Sequence, residues 1–326
     1  MASEETQLVV LPPQTELSRR WARRLAGEVP EVSVVVADDP DAAAEALAAG
    51  ATAAFGTLEP QVLPHARHLR WLQSPMAAPP PGYFYPALAE HPVVVTNLRG
   101  TYHDHVATHA VAMLLSLARN LHRYRSFQAE HRWQQLRDPD GILHLPESTI
   151  LVVGLGAIGT EIVRLLTPFG ATVLGTDARL AAPPPGVDDF GGPEALDHFL
   201  PTADAVILTV PHTPQTENLI DHRRLGLMKP GAVLINIGRG PVVDLDAVDR
   251  ALSDNRIRGA AFDVYPTEPL PAGHPLWDRP TVILTPHVAA VGPYTEDRRF
   301  GVFRDNTRRF LTGRPLVNVV DKTAWF

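Results

Sequence analysis

Apolar residues recur along this chain in short β-type runs, separated by segments of helical spacing and by connections rich in proline and glycine. That alternation predicts repeated strand-helix-strand units and parallel sheets. Two series stand out. The first has strands predicted at 7–11, 32–36, 52–55 and 93–96, with helices over 18–26 and 42–48. The second has strands at 149–153, 172–176, 205–210, 232–237, 260–264 and 282–285, enough for a full dinucleotide-binding sheet. One long helical pattern, 104–125, joins the series, and another, 294–311, ends the chain and is expected to return to the first domain. The proline clusters 79–81 and 183–185 cannot sit in helix interiors or central strands and are predicted loops.

At 326 residues the chain exceeds the size of one growing core, so two domains are expected. Its 45% hydrophobic and 20% charged residues are those of an ordinary globular protein. The net charge is −7 and arginines are scattered singly or in pairs, which argues against a nucleic-acid partner. Lysine occurs only at Lys229 and Lys322, leaving little scope for Schiff-base chemistry. Cysteine is absent, which excludes a thiol nucleophile, a thiolate metal site and disulfides, and favours a reducing cytoplasm. The acidic start, Met1 to Glu5, lacks the features of a signal peptide, and the most apolar helical stretch, 107–118, is too short to cross a bilayer.

The segment Gly154-Leu155-Gly156-Ala157-Ile158-Gly159 is G-x-G-x-x-G placed between a predicted strand and a predicted helix over 160–169. In that context Gly154 permits the turn, Gly156 lets the backbone approach a pyrophosphate, and Gly159 lets helix pack on strand. The helix N-terminus offers its unpaired N–H groups, those of the Ala157–Ile158 turn among them, to phosphates. Asp177 follows the next strand, eighteen residues beyond Gly159, where a carboxylate can accept from ribose hydroxyls. It would repel a 2′-phosphate, so NAD is favoured. Arg179, two residues on, leaves NADP open as the alternative.

Hydride transfer from a dinucleotide to a carbonyl carbon needs a cation, a proton donor and a group that tunes that donor. Candidates follow the late strands, whose C-terminal ends face ligands in open α/β sheets. Arg239 lies in Asn236-Ile237-Gly238-Arg239-Gly240, where flanking glycines let side chain and backbone approach a ligand. His287 follows Pro286 at another strand end, and imidazole exchanges protons near neutral pH. Glu268 stands between Pro266 and Pro269, and a carboxylate against imidazole fixes its tautomer and stabilises its charged form. Taken singly, each also reads as a turn histidine, a surface acid or a salt-bridge arginine; the joint placement favours chemistry.

Four segments, 154–159, 234–243, 261–276 and 285–290, together resemble the D-isomer-specific 2-hydroxyacid dehydrogenases, a likeness spanning roughly 70–320. The resemblance implies that Arg239 is the substrate arginine, Glu268 the acid paired with histidine, and His287 the acid/base. It implies that Asp263 meets the nicotinamide carboxamide and that Val210, Pro211 and Thr216 line the cofactor, with Ile237 and Gly238 beside them. It further implies two Rossmann-like or flavodoxin-like lobes: a NAD-binding lobe (100–293) inserted into a discontinuous substrate-binding lobe (1–99 plus 294–326). A homodimer built around the helix near 104–125 and a cleft that closes on cofactor belong to the same expectation.

The chain departs from the family pattern in two places. The loop whose backbone N–H groups hold the substrate carboxylate reads Ser74-Pro75-Met76-Ala77-Ala78 and then three prolines, so Met76, Ala77 and Ala78 are the donors left. The aromatic run Tyr83-Phe84-Tyr85 behind it walls the pocket or packs the lobe, and packing is the simpler reading. Thr108 stands where the family commonly has glutamate. His103, His105 and His109 crowd the same stretch but carry no metal-site pattern, so no metal is expected. His212 is assigned no chemistry. Formate dehydrogenase, a related enzyme, has glutamine where Glu268 stands, and a non-catalytic NAD-sensing corepressor of the same fold is the rival from another class.

Overall fold

The structure is a computed structural model that describes residues 6–77, 82–137 and 141–323. In chain order the elements are β1 (Thr6–Val10), α1 (Glu16–Glu28), β2 (Val32–Val36), α2 (Pro40–Ala48), β3 (Ala53–Phe55), β4 (Trp71–Gln73), α3 (Pro86–Glu90), β5 (Val94–Thr96), α4 (His103–Ala118) and α5 (Leu121–Ala129). There follow β6 (Thr149–Val153), α6 (Ala157–Leu166), β7 (Thr172–Thr176), β8 (Asp189–Gly191), α7 (Leu196–Phe199), β9 (Ala205–Leu208), α8 (His222–Leu227), β10 (Val233–Asn236), α9 (Leu245–Ser253), β11 (Gly259–Phe262), β12 (Val282–Leu284) and α10 (Thr295–Leu311). They form two compact units. One holds residues up to Thr101 together with those from Pro293 on; the other runs from Tyr102 to Gly292.

The first unit is a five-stranded parallel sheet of order β2-β1-β3-β4-β5, the flavodoxin-like order. Local chemistry starts its helices: Thr15 and Ser18 form a reciprocal capping box on α1, and Asp39 caps α2 with Pro40 at its first turn. α10 completes the core on one face, where Phe300 and Phe303 bury themselves among Trp21, Phe55 and Trp71. On the other face Tyr83 and Phe84 are buried in the core. Their neighbour Tyr85 packs against it, and the hydroxyls of Tyr83 and Tyr85 donate to the carbonyls of Gly56 and Leu58. The aromatic run therefore packs this unit.

The second unit is a seven-stranded parallel sheet of order β12-β11-β10-β9-β6-β7-β8. Counted from β6, this is the dinucleotide-binding order 3-2-1-4-5-6 with one further strand, and the order reverses between β6 and β9. Its central strands are buried on both faces, as helix-covered parallel strands must be. α4 packs on α6 and forms, with β6, β9 and β10, one of the unit's two cores.

Two differences from the pattern-based expectation have a plain physical reason. β8 was not foreseen because Asp-Phe-Gly offers a single apolar residue and pairs only along the sheet edge. The helix expected over 104–125 is broken. Asn120 takes a left-handed φ of 57° between α4 and α5, and its side-chain N–H donates to the Gly141 carbonyl at 2.9 Å. Asparagine tolerates that conformation through its short polar side chain. No helix among the described residues is long and apolar enough to cross a membrane.

Candidate active site

The glycine turn lies at the sheet reversal, the place where open α/β sheets bind ligands. Gly154 has a φ of 94°, and its N–H donates to the Thr176 carbonyl at 2.8 Å. A Cβ on Gly159 would overlap the Gly154 carbonyl, so only glycine lets α6 start this close to the turn. Gly156 caps α6, and a Cβ built there meets nothing within 4 Å. An open cradle over a ten-residue helix's N-terminus is what a dinucleotide's pyrophosphate requires. The turn thus fits a bound dinucleotide.

Asp177 faces the same turn. Its Oδ2 accepts from the Leu155 N–H at 2.8 Å, and its Oδ1 accepts from the N–H groups of Arg179 and Leu180. A carboxylate has about four lone-pair sites, so one remains for a ribose hydroxyl. Val210 packs against the core, and the Thr216 hydroxyl closes the following turn by donating to the Pro211 carbonyl at 2.7 Å. Thr209, which sequence reasoning did not single out, donates its hydroxyl to the Gly154 carbonyl at 2.6 Å and ties β9 to the glycine turn.

Three loops of this unit carry the chemical groups. Arg239 follows β10, with Ile237 and Gly238 leading into it. Asn236, fully buried, accepts from the Gly238 N–H at 3.1 Å and donates to the Arg239 carbonyl at 2.9 Å. A buried polar residue at the end of an apolar strand is the signal by which Asn236 was findable. The Arg239 guanidinium donates to the Gly238 carbonyl at 2.7 Å.

His287 and Glu268 meet directly: His287 Nδ1 lies 2.7 Å from Glu268 Oε2. An ionised carboxylate has no proton to give, so Nδ1–H is the donor and Nε2 is the ring position left for a reacting group. Glu268 Oε1 also accepts from the Tyr265 N–H at 3.0 Å. Burial works to raise the Glu268 carboxyl. Hydrogen bonds from His287 and Tyr265, with the charges of His287 and Arg239, outweigh it and hold Glu268 below the usual carboxylate range.

His287 itself has a φ of 53°, a left-handed conformation costing roughly 1–2 kcal/mol for a residue with a Cβ. Asp263 over-determines it. That side chain is buried; its Oδ1 accepts from the Thr285 hydroxyl at 2.6 Å and the Val288 N–H at 2.9 Å, and its Oδ2 from the Ala289 N–H at 2.9 Å. Tyr265, also missed in the sequence, shares its one hydroxyl proton between the Phe262 and Thr285 carbonyls, 3.0 and 2.9 Å away. In the first unit, the Met76 N–H donates to the Ser74 hydroxyl at 3.3 Å, while Ala78 lies outside the described residues. Among the described residues no group of three or more His, Asp or Glu could hold a metal ion.

Residues 111–289 match the family described as D-isomer specific 2-hydroxyacid dehydrogenase, NAD binding domain. A glyoxylate/hydroxypyruvate reductase A of Escherichia fergusonii is 32% identical over 219 residues, 67% of this chain and 68% of that protein. Among solved structures, a D-isomer specific 2-hydroxyacid dehydrogenase from Xanthobacter autotrophicus, in complex with NADPH and MES, superposes with a TM-score of 0.83 at 28% identity, covering 99% of this chain and 100% of that one. A family protein from Aeromonas salmonicida superposes with a TM-score of 0.80 at 30% identity, covering 98% and 100%. With the fold, the glycine turn and the histidine-glutamate pair in place, the chain belongs to the D-isomer specific 2-hydroxyacid dehydrogenase family.

Proposed function

We propose that this protein reduces a small 2-oxo acid to the 2-hydroxy acid, and in reverse oxidises the hydroxy acid, with NAD(H) as cofactor. The observation that carries this reading is the 2.7 Å bond between His287 Nδ1 and Glu268 Oε2, within the field of the Arg239 charge. Family membership supports the reaction class, an oxidoreductase acting on a CH–OH group.

When bound, the reduced nicotinamide supplies the hydride that C2 of the oxo acid receives. Arg239 binds the substrate carboxylate and polarises the carbonyl oxygen. His287 gives its Nε2 proton to the nascent alkoxide, and Glu268 stabilises the imidazolium beforehand. In oxidation neutral His287 takes the hydroxyl proton through Nε2. Gly154, Gly156, Ala157, Ile158 and Gly159 form the phosphate site. Val210, Pro211, Thr216, Ile237, Gly238 and Asp263 line the nicotinamide half. Ala77, with Met76 engaged by Ser74, is the loop donor left for the carboxylate. In these terms the unit from Tyr102 to Gly292 is the cofactor domain and the discontinuous unit the substrate domain.

Asp177 beside the glycine turn supports NAD, because a second negative group at the ribose 2′ position would face its carboxylate. A second reading, NADP, draws on Arg179 and on a family structure in complex with NADPH. We also infer a homodimer in the cytoplasm: α5 buries no residue of its own, and a chain without cysteine suits a reducing compartment.

The test is oxidation of NADH and of NADPH against a panel that includes glyoxylate, hydroxypyruvate, phenylpyruvate and branched 2-oxo acids. The expected result is turnover with NADH that falls at least about 1000-fold in His287→Gln while cofactor affinity stays within about threefold. Faster turnover with NADPH would select the second cofactor reading. Cofactor binding without turnover on any acid would replace the enzyme by a nicotinamide sensor.

A further inference from the structure

The turn that carries His287 is held from outside the three loops already described. Thr285 Oγ1, which donates to Asp263 Oδ1 at 2.6 Å, lies 3.0 Å from His109 Nε2 on α4. His109 Nε2 is also 3.8 Å from Asp263 Oδ1 itself. The proton positions follow by elimination. Asp263, an acceptor for two backbone N–H groups, has no proton to give, so the single hydroxyl proton of Thr285 points to it. The hydroxyl oxygen therefore meets His109 as an acceptor, and Nε2 is the protonated nitrogen of that ring.

We propose that His109 is a positioning residue for His287: its Nε2–H holds the Thr285 hydroxyl on Asp263, and Asp263 so held fixes the turn that aims the imidazole at Glu268. Thr285, Val288 and Ala289 all bind the Asp263 carboxylate, and they bracket His287 on both sides. A left-handed residue between such anchors keeps its conformation only while the anchors hold. His109 fastens the anchor nearest α4. That helix is packed on α6 and the sheet, so His109 links a rigid element to the one side chain that must move a proton. The inference rests on the acid/base role proposed for His287.

Three variants test it. His109→Phe keeps the ring and removes the donor; His109→Gln retains an N–H of similar reach; Thr285→Val removes the hydroxyl both partners use. His109→Phe is expected to lower kcat roughly ten- to a hundredfold, with KM for the oxo acid and Kd for NADH within about twofold. Deuterium exchange at the amides of Val288 and Ala289 speeds up in the same variant. His109→Gln restores both values, and the double variant His109→Phe with Thr285→Val is no slower than the worse single one. Unchanged kcat with unchanged exchange in His109→Phe overturns the proposal, as does a folded His109→Gln as impaired as His109→Phe. If the native protein turns over no 2-oxo acid, the hydroxyacid reading fails by itself. The exchange rates then decide the role of His109 in the turn: faster exchange upholds it and unchanged exchange removes it.

Discussion

His287 and Glu268 are separated by 19 positions in the chain and joined by one 2.7 Å hydrogen bond, so their chemistry is a property of two loops meeting. Each residue type was legible in the sequence at a strand end. Their pairing was expected from the family resemblance; the left-handed φ of His287 and the three-point grip of Asp263 were not legible, because each depends on backbone brought in from another strand. The pair has a directional pH signature. Glu268 is held below the usual carboxylate range, so its charge, and any stability it adds, is present above its unfolded value and is lost as pH falls through the lowered one. Glu268→Gln removes the partner that stabilises the imidazolium. The expected fall in kcat is about 10- to 100-fold. Stopped-flow rates at neutral pH check this; an unchanged rate would remove Glu268 from the proton step.

At the scale of elements, long periodic segments were the readable ones. α1, α2 and α10 form within a few residues of their predicted bounds because an apolar stripe at helical spacing must find a core. Short or interrupted elements were not readable. β8 has one apolar residue to show, and the break at Asn120 depends on the distant Gly141 carbonyl that rewards its left-handed turn. α10 allows a direct test of how an element can belong to a core formed far earlier in the chain. Phe303 is fully buried against the rings of Trp21, Phe55 and Trp71. Phe303→Ala is expected to destabilise the first unit by about 3–5 kcal/mol, read as a lower denaturant midpoint for the fluorescence of Trp21 and Trp71. A midpoint within experimental error of the parent would show that α10 contributes little to that core.

For the molecule as a whole, the proposed dimer is the open quantity. α5 has no buried residue, and Trp133, just beyond it, is 95% exposed while Leu121 is 55% exposed. Leu121 and Trp133 are the side chains through which the proposed dimer is tested. Light scattering is expected to give about twice the 35.5 kDa chain mass, and Trp133→Glu with Leu121→Glu to give the monomer value; a monomeric parent protein would refute the dimer. Sequence alone determined the α/β class, the glycine turn between strand and helix with Asp177 after the next strand, and the residue types at the ends of late strands, because strand, glycine and helix signals are local and their spacing is physical. Tertiary structure decided what those residues do to one another. It turned the Asp177 carboxylate toward Leu155, engaged the Met76 N–H with Ser74, clamped the His287 turn on Asp263 and brought His109 from α4 to Thr285. Hydrogen-bond partners distant in sequence come together only when the sheet order is formed, and no spacing along the chain encodes that.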